Sequence, residues 1–351
     1  SDTLKRAQQA AQSGKTNDAL EHLKDHIVEV EEDSAIVAAE RWLSLPPAER
    51  ERTSIFAAGR RLRSEINTAV QTGLAANGEI GPASARLKVL SRVNATREEL
   101  RYARNYAPGM VLEVANRQSR HGLGRGSHEV AAVDTEKGVV TLRDERGHLR
   151  RFVPARLSAK GSDQTLQLFE KKGLDLYTGD AIRWTASDHE HGMINADRAT
   201  VTAIDQDGVT VTTSSGMEHK LKPNDPMLKR IDLAYALNAH MAQGLTADKG
   251  IAVLESRERR LLSQCNFLVT ITRLRDELTL IVDNRDKVGR GIATNLGEKS
   301  SAAEVTERLG TAAAKGRRAG QIQAANQEPQ VEGEKAPELT KERIKPFEIG
   351  L

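Results

Sequence analysis

The middle third of the chain differs in texture from both of its flanks, and this contrast limits the folds available to it. From about residue 107 to 228, short runs of alternating apolar and polar residues are separated by Gly, Asp and Pro, a pattern typical of small antiparallel barrels or meanders. Within this segment four markers recur at an offset of 70 or 69 residues: Gly109 with Gly179, Gly138 with Gly208, Gly147 with Gly216, and Pro154 with Pro223. This repeat predicts two tandem β modules of one small fold, and the alternative is a coincidence between two meanders.

The flanking segments mix strand-like and helix-like sequence, which indicates an α/β domain. Residues 1 to about 45 have the apolar spacing of a helix, and Thr53–Ala58 form a short β-type run followed by a helical stretch. A charged connector, Arg86–Arg104, is expected to be partly helical. Beyond Pro226, Ile251–Leu254 and Leu278–Val282 are predicted strands. The simplest architecture is therefore one α/β domain with two β modules inserted in a loop.

This architecture predicts five segments. The last of them is poor in apolar residues and is expected to be a marginal helix followed by disorder. The predicted segments are 1–105 and 230–297 for the two parts of the α/β domain, 106–160 and 161–229 for the first and second β modules, and 298–351 for a flexible tail.

Charge and cysteine content exclude some classes of protein. The 351 residues carry 52 Lys and Arg against 49 Asp and Glu, so the net charge of +3 does not by itself indicate a nucleic-acid-binding protein. A single cysteine, Cys265, cannot form an internal disulfide, which favours a reducing, cytoplasmic compartment. No apolar run reaches the roughly 18 residues of a membrane span. Because the chain begins Ser1-Asp2, we expect it to be part of a longer protein.

Several tempting motifs fail on context. Ser13–Thr16 contains Gly-Lys-Thr, but position 9 is Gln9 where a phosphate-binding loop needs glycine, and no strand precedes it. Gly122–Gly126 lacks the spacing of a dinucleotide fingerprint, so a mobile basic hairpin tip is the better interpretation. The histidine pairs have no third ligand in evident reach, and no metal site is predicted.

Two strings late in the chain carry a resemblance. Asp232–Thr246 contains Asp-Leu-Ala-Tyr-Ala followed by His-x-x-Gln-Gly, and Leu268–Arg275 follows about 25 residues later, with Val282-Asp283-Asn284 after it. These strings resemble motifs V and VI of superfamily 1 DNA helicases of the RecD-like branch. Within that branch the sequence is most similar to the helicase half of TraI-type (MobF) conjugative relaxases. The resemblance covers residues 1 to about 297.

The resemblance implies a RecA-like second motor domain with two inserted SH3-like β modules. It implies that Arg273, expected just after a buried strand, stabilises the transferred phosphoryl group from the facing domain, as an arginine fork suits phosphate oxygens. A surface arginine is the alternative. Arg63 resembles the motif IV arginine, but Arg60 and Arg61 compete with it, and all three could be merely solvated.

Nucleic-acid contacts are implied on both sides of the insertion. Gln243 and Gly244 resemble the loop that couples the nucleotide cleft to single-stranded DNA, and the Thr246 hydroxyl could reach a phosphate. His240 could stack or hydrogen-bond there, or equally be a packed strand-end residue.

The β modules supply further candidates for contact with DNA. Trp184 of the second module, beside Arg183, is either a stacking platform or a core residue, and core is the commoner fate. The first module has a local excess of arginine that would track phosphates or form a solvated face. These arginines are Arg117, Arg120, Arg125, Arg143, Arg146, Arg150 and Arg151.

An intact helicase also needs a P-loop lysine and an acidic pair for magnesium, and neither is found in this sequence. ATP and Mg²⁺ are therefore expected only in the intact parent, with no cofactor in this chain, which should hydrolyse no ATP alone. The expected partners are single-stranded DNA and the parent's N-terminal domains. One alternative is an interaction module carrying a signal for the coupling protein of a type IV secretion channel, through which the parent would leave the cell. A RecD-like repair helicase is a further alternative.

Overall fold

A computed structural model describes residues 1–93, 95–117, 121–158, 165–238 and 247–297. The predicted tail, 298–351, lies outside the described residues, as do four predicted site residues, namely His240, Gln243, Gly244 and Thr246. Arg120 of the basic set also lies outside them.

The described part contains seven α-helices and sixteen strands. The helices are α1 (Asp2–Gln12), α2 (Thr16–His22), α3 (Ser34–Leu43), α4 (Pro47–Arg52), α5 (Arg60–Ala76), α6 (Gln264–Thr272) and α7 (Arg285–Thr294). The strands are β1 (Ile27–Glu29), β2 (Thr53–Ala57), β3 (Ser84–Arg92), β4 (Val111–Val114), β5 (Gly126–Asp134), β6 (Val139–Asp144), β7 (Leu149–Phe152), β8 (Leu166–Tyr177), β9 (Ala181–Trp184), β10 (Arg198–Asp205), β11 (Gly208–Thr213), β12 (Glu218–Leu221), β13 (Ile231–Leu233), β14 (Ala236–Leu237), β15 (Ala247–Leu254) and β16 (Leu274–Val282).

Five strands form a parallel sheet in the order β1-β16-β15-β2-β14. The sheet joins strands from both flanks of the chain, since β1 and β2 precede the insertion and β14, β15 and β16 follow it. In register, Ile251 of β15 pairs with Ile55 of β2 on one side and with Thr279 of β16 on the other. The predicted α/β class, with β structure inserted between two parts of one sheet, is confirmed.

Helices cover both faces of this sheet because its strands present apolar side chains on both faces. On one face, Phe56, Leu254 and Leu280 belong to a core with residues of α1, α2, α6 and α7. On the other face, Ile55 and Val253 pack with α3 and α5. The amphipathic α5 places Leu62, Ile66, Val70 and Leu74 toward that face, at the four-residue spacing of a helical stripe.

A six-stranded antiparallel sheet has the order β3-β8-β4-β5-β6-β7. Its first strand, β3, runs along β8 from Ser84 paired with Tyr177 to Arg92 paired with Phe169. The predicted boundaries at 105 and 160 therefore cut through this sheet. The segment Arg86–Arg104, expected to be partly helical, begins in β3, and its helical part is limited to the short 3₁₀ helices Glu99–Arg101 and Ala103–Asn105. The segment alternates exposed Arg86 and Lys88 with Ala85, Leu87 and Val89, which is the spacing of a strand with one solvated face.

The second β module is a five-stranded sheet in the order β12-β11-β10-β9-β13. Trp184 lies in its core and is fully buried, together with Ile182 and Val211. The last strand, β13, comes from the segment that leads back into the parallel sheet.

The two β modules repeat the same arrangement, as the recurring markers predict. Gly109 and Gly179 both have positive φ, and their N–H groups donate to Val130 O and Val201 O, each at 2.8 Å. The strands that follow, β5 and β10, both carry a register shift just after these valines, between Val130 and Ala132 and between Val201 and Ala203. Gly109 and Gly179 therefore occupy equivalent turns. The predicted SH3-like character of the modules stays a prediction.

Two other local predictions differ from the structure. Residues 1 to about 45 form three helices and the short strand β1 rather than one helix, because Gly14 with positive φ and the Asp33 turn interrupt the helical spacing. Phe267–Ile271 belongs to α6, so Arg273 follows a helix rather than a strand. A short apolar run suits a buried helix as well as a strand.

Candidate nucleotide- and DNA-binding site

Arg273 lies at the amino-terminal edge of the parallel sheet. It caps the C-terminus of α6 and directly precedes β16, and its carbonyl accepts a hydrogen bond of 3.0 Å from the N–H of Ala247, at the start of β15. The side chain is half-buried, and its Nε is buried without a hydrogen-bond partner among the described residues. No carboxylate pairs with this guanidinium in the described part of the chain, and the side chain is partly exposed.

Arg63 lies near the opposite edge. It sits on the first turn of α5, which begins just after the carboxyl end of β2, and it is 8% exposed. Its guanidinium donates to Asp232 Oδ2 at 2.8 Å, and burial lowers its pKa. The structure therefore does not bring Arg273 and Arg63 together, and Arg63 is held in an ion pair rather than exposed to a ligand.

Arg183 shares the same carboxylate. The residue is 5% exposed, and its guanidinium donates to Asp232 Oδ2 at 2.5 Å. Asp232 thereby ties α5 of the parallel-sheet domain to β9 of the second β module. As a predicted contact with nucleic acid, Arg183 has no direct access to a strand, because it is enclosed by this ion pair.

The competition among the three arginines of α5 is decided by their partners. Arg61 pairs with Glu65 at 2.5 Å and with Glu255 at 2.6 Å. Arg60 has no carboxylate partner among the described residues, is half-buried, and donates to the carbonyl of Arg92. Arg60, rather than Arg63, is thus the arginine of α5 with donors available to a ligand.

Arg60 also lines a cavity of about 220 Å³ at the carboxyl edge of the parallel sheet. Ligands of open α/β sheets bind outside the carboxyl ends of the strands. Most of the residues that line it are apolar, and the polar ones are Arg60, Asn238, Asn266 and Thr270. Its lining is Phe56, Ala57, Ala58, Arg60, Asn238, Ala252, Val253, Leu254, Leu261, Asn266 and Thr270.

The predicted coupling loop begins at this cavity. Asn238, which lines it, is the last described residue before the segment that holds His240, Gln243, Gly244 and Thr246. The roles implied for these four residues fall outside the described part and stay predictions.

Trp184 cannot act as a stacking platform in this structure. Its ring is fully buried in the core of the second β module, so the predicted contact with nucleic acid is wrong and the alternative, a core residue, is correct. Arg125 of the first module is exposed, as a phosphate contact requires. Of these two predicted DNA contacts, Trp184 is therefore a structural residue and Arg125 is a cation at the surface.

A second polar group joins the second β module to α5. Asp180 is fully buried, and its carboxylate accepts three hydrogen bonds of 2.7 Å, from the Tyr235 hydroxyl, the Gln71 amide and the N–H of Tyr177. Burial raises the pKa of Asp180, and burial also raises the pKa of Tyr235. No cation pairs with Asp180 in the described part of the chain, so the carboxylate is stabilised by neutral donors alone.

The Asp-Leu-Ala-Tyr-Ala string is therefore a structural junction. Asp232 accepts from the two buried arginines, and the Tyr235 hydroxyl donates to Asp180. The carbonyl of Ala234 accepts a 2.7 Å hydrogen bond from Arg198, and the N–H of Ala236 donates to Asn67 at 2.7 Å. In the sequence, this string indicated only the segment that precedes motif V. Two polar side chains within an otherwise apolar run were the signal for a buried polar contact.

Two further properties of the described residues concern ligands and membranes. No group of three or more His, Cys, Asp or Glu side chains among them could hold a metal ion. Of the helices described, none combines the length and the apolar character that crossing a membrane requires.

The chain is similar to known conjugation proteins in two comparisons. Residues 89–176 match the DNA relaxase TraI 2B/2B-like domain family, and this range covers most of the six-stranded sheet. The chain is also 29% identical over 266 residues to the multifunctional conjugation protein TraI of Escherichia coli K12. The aligned region covers 74% of this chain but only 14% of that protein.

Solved structures of Pif1 helicases are also similar in part. The Bacteroides Pif1 structure bound to ssDNA has 12% sequence identity and a TM-score of 0.41, covering 89% of this chain and 55% of that one. Pif1 helicase from Candida albicans has 13% identity and a TM-score of 0.39, covering 89% of this chain and 58% of that one.

The parallel sheet and the family match define the class first: an α/β domain interrupted by a TraI 2B/2B-like insertion. The similarity to TraI extends beyond this insertion, since it covers 74% of the chain. The chain is similar to the multifunctional conjugation protein TraI over 266 residues, and its late sequence strings predict this similarity.

Proposed function

We propose that this chain supplies the second motor domain and the DNA-contacting insertions of an ATP-dependent translocase for single-stranded DNA in plasmid conjugation. The parent protein would add the P-loop domain that binds ATP and Mg²⁺. Alone, the chain would hydrolyse no ATP, because transfer of the phosphoryl group needs the groups that hold the phosphates and the metal as well as a facing cation.

The observation that carries the proposal is the state of Arg273. Its guanidinium has a buried Nε without a partner among the described residues, although the residue stands at a fixed point between α6 and β16. Leaving a charged donor without a partner is costly. No carboxylate pairs with Arg273 among the described residues, and its side chain is partly exposed, so the rest of the guanidinium could donate to phosphate oxygens from a facing domain, as in phosphoryl transfer assisted by an arginine finger.

The test compares the chain alone with the chain joined to the P-loop domain of a TraI-type protein. We expect no ATP hydrolysis from the chain alone and DNA-stimulated hydrolysis from the joined protein. Arg273→Ala should lower kcat of the joined protein by about 10³-fold or more, since arginine fingers contribute about 10³ to 10⁵. Arg273→Lys keeps the charge but not the planar fork, and should recover only part of the rate.

Arg275 provides a matched control two residues away, because it is exposed and its nearest carboxylate, Asp248, is 3.9 Å distant. Arg275→Ala should leave kcat unchanged. Equal losses from Arg273→Ala and Arg275→Ala, or ATP hydrolysis by the chain alone, would contradict the proposal.

Binding of a labelled oligo-dT strand tests the DNA-contacting role separately. Binding should occur at low salt and weaken as salt rises, because contacts with backbone phosphates release counterions. Absence of binding at low salt would contradict this role and favour the alternative in which the insertion is an interaction module for the secretion coupling protein.

A further inference from the structure

The junction of the three substructures carries an excess of positive charge. Arg60 stands at the start of α5, Arg92 at the end of β3 in the six-stranded sheet, and Arg183 on β9 of the second β module. The charged groups that act on Arg60 are Arg92, Arg183 and Asp232, and those that act on Arg63 are Asp232, Arg183 and Arg60. Arg60, Arg63 and Arg183 therefore surround one carboxylate, that of Asp232, and Arg92 is a fourth arginine beside Arg60.

The four arginines divide into two layers. Arg63 and Arg183 are more than nine-tenths buried and both bind Asp232, at 2.8 and 2.5 Å. Arg60 is half-buried and Arg92 is exposed, and neither forms an ion pair with a carboxylate in the described ranges. The inner layer thus adds a fixed positive field, and the outer layer holds the donors that a ligand can reach.

Such an arrangement is unfavourable without an anion. Burial and the neighbouring Arg92 and Arg183 lower the pKa of Arg60, so its charged form is destabilised where it stands. Structural ion pairs place a carboxylate beside each arginine, as Arg61 does with Glu65 and Arg86 with Asp175 on the same two elements. The absence of that compensation at Arg60 and Arg92, within the described part, is what an anion-binding surface requires.

The same place offers room and donors. Arg60 lines the cavity of about 220 Å³ whose lining also includes the polar residues Asn238, Asn266 and Thr270. Its guanidinium makes one hydrogen bond in the described part, to the carbonyl of Arg92, which aligns the two residues and leaves further N–H groups unused. A tetrahedral phosphate accepts several such donors at once.

We propose that Arg60 and Arg92 bind a backbone phosphate of single-stranded DNA at the junction of the parallel sheet with the two β modules. This inference rests on the proposed function, and it locates the strand at the junction rather than on Trp184. A strand bound here would lie where α5, β3 and β9 meet. Arg63, Arg183 and Asp232 are positioning residues, since they support the outer arginines without reaching the ligand.

The experiment measures binding of fluorescein-labelled oligo-dT by anisotropy as a function of salt concentration, using the whole chain. Each phosphate contact with a single strand contributes about 0.7 to the slope of log affinity against log salt. Arg60→Gln with Arg92→Gln should therefore reduce the slope by about 0.7, because the two arginines neutralise one phosphate. Arg60→Lys with Arg92→Lys retains the charges and should retain the slope.

The matched control is Arg61→Gln with Arg86→Gln. This pair removes the same charge from the same two elements, but both arginines are already paired with carboxylates. Its slope should equal that of the unchanged chain. Equal reductions in both double variants would reveal an effect of net charge alone and overturn the proposal. Circular dichroism at each salt concentration checks that every variant is folded.

Two further outcomes separate this inference from the proposed function. Binding by the unchanged chain that is insensitive to Arg60→Gln with Arg92→Gln would overturn the inference and leave the DNA-contacting role intact, whereas no binding by the unchanged chain would overturn both. Mg·ATP and inorganic phosphate are tested as competitors. Displacement of oligo-dT by Mg·ATP, with ATP binding lost in the same double variant, would assign the site to a nucleotide phosphate and overturn the inference.

Discussion

Replacement of Asp180 tests whether the buried polar group truly fixes the second β module. In Asp180→Ala, the Gln71 amide keeps its second acceptor, the carbonyl of Asp175 at 2.9 Å, but the N–H of Tyr177 and the Tyr235 hydroxyl lose theirs. Each buried donor left without an acceptor costs about 1–3 kcal/mol. The free energy of unfolding should therefore fall by about 2–6 kcal/mol for the two groups.

Asp180→Asn should cost about half of that loss. Its amide can turn so that the oxygen accepts from Gln71 and Tyr177 while the NH₂ group donates to the Tyr235 oxygen, which leaves only the Tyr235 O–H without its acceptor. The exposed Asp207→Ala is the control, with an expected change within about 0.5 kcal/mol. Urea unfolding followed by circular dichroism measures all three variants. Equal losses for Asp180→Ala and Asp180→Asn would refute the hydrogen-bond reasoning.

The pH dependence provides a second readout of the same carboxyl group. Burial raises the folded-state pKa of Asp180 above its unfolded value, so the folded chain binds the proton more tightly. The stability from this group is therefore fully present below the unfolded pKa of about 3.9 and is lost as pH rises through the folded pKa. Relative to the unchanged chain, Asp180→Asn should gain up to about 1.4 kcal/mol per pH unit across that interval. A difference independent of pH would contradict the assignment.

Two further predictions follow from buried side chains of the second β module and its junction. Trp184→Ala should lower the free energy of unfolding by about 3–5 kcal/mol, while Trp184→Phe should remain folded and bind oligo-dT with unchanged affinity by anisotropy; a clear loss of affinity in folded Trp184→Phe would restore the stacking role. Asp232→Ala should cost about 3–5 kcal/mol by urea unfolding, because it removes the carboxylate that two buried guanidinium groups bind. Adding Arg63→Met should recover part of this loss, whereas strictly additive losses would argue against the shared ion pair.

The sequence predicted the class of fold because its signals there are local. Apolar strands such as Ile251–Leu254, and glycines recurring at a nearly fixed offset, can be identified without knowing what they contact. The strand β3 was missed because a half-exposed edge segment with charged outward residues resembles a solvated helix in composition. The predicted division into modules is wrong at the same place, because β8 lies within the predicted second module but pairs with β3 and β4.

The candidate site was predictable only in part, because burial and partners are not written in a motif. Arg60, Arg61 and Arg63 are equivalent in sequence, and only their contacts distinguish an unpaired arginine from two that are held by carboxylates. Trp184 and Arg183 were attractive DNA contacts for their residue types, yet both are enclosed. Residue type limits what a side chain can bind, whereas exposure decides whether it can reach the ligand.

The junction segment gives a reason for the position of the second β module. Ile231–Leu233 pairs with β9 and Ala236–Leu237 pairs with β2, so only Ala234 and Tyr235 separate strands of two different sheets. Both of these residues are themselves held, by Arg198 and by Asp180. A hinge needs residues that can change φ and ψ freely, and this connection has none that are unrestrained. We therefore expect a displacement of β14, from which the predicted coupling loop departs, to strain the contacts of β9 through this two-residue link.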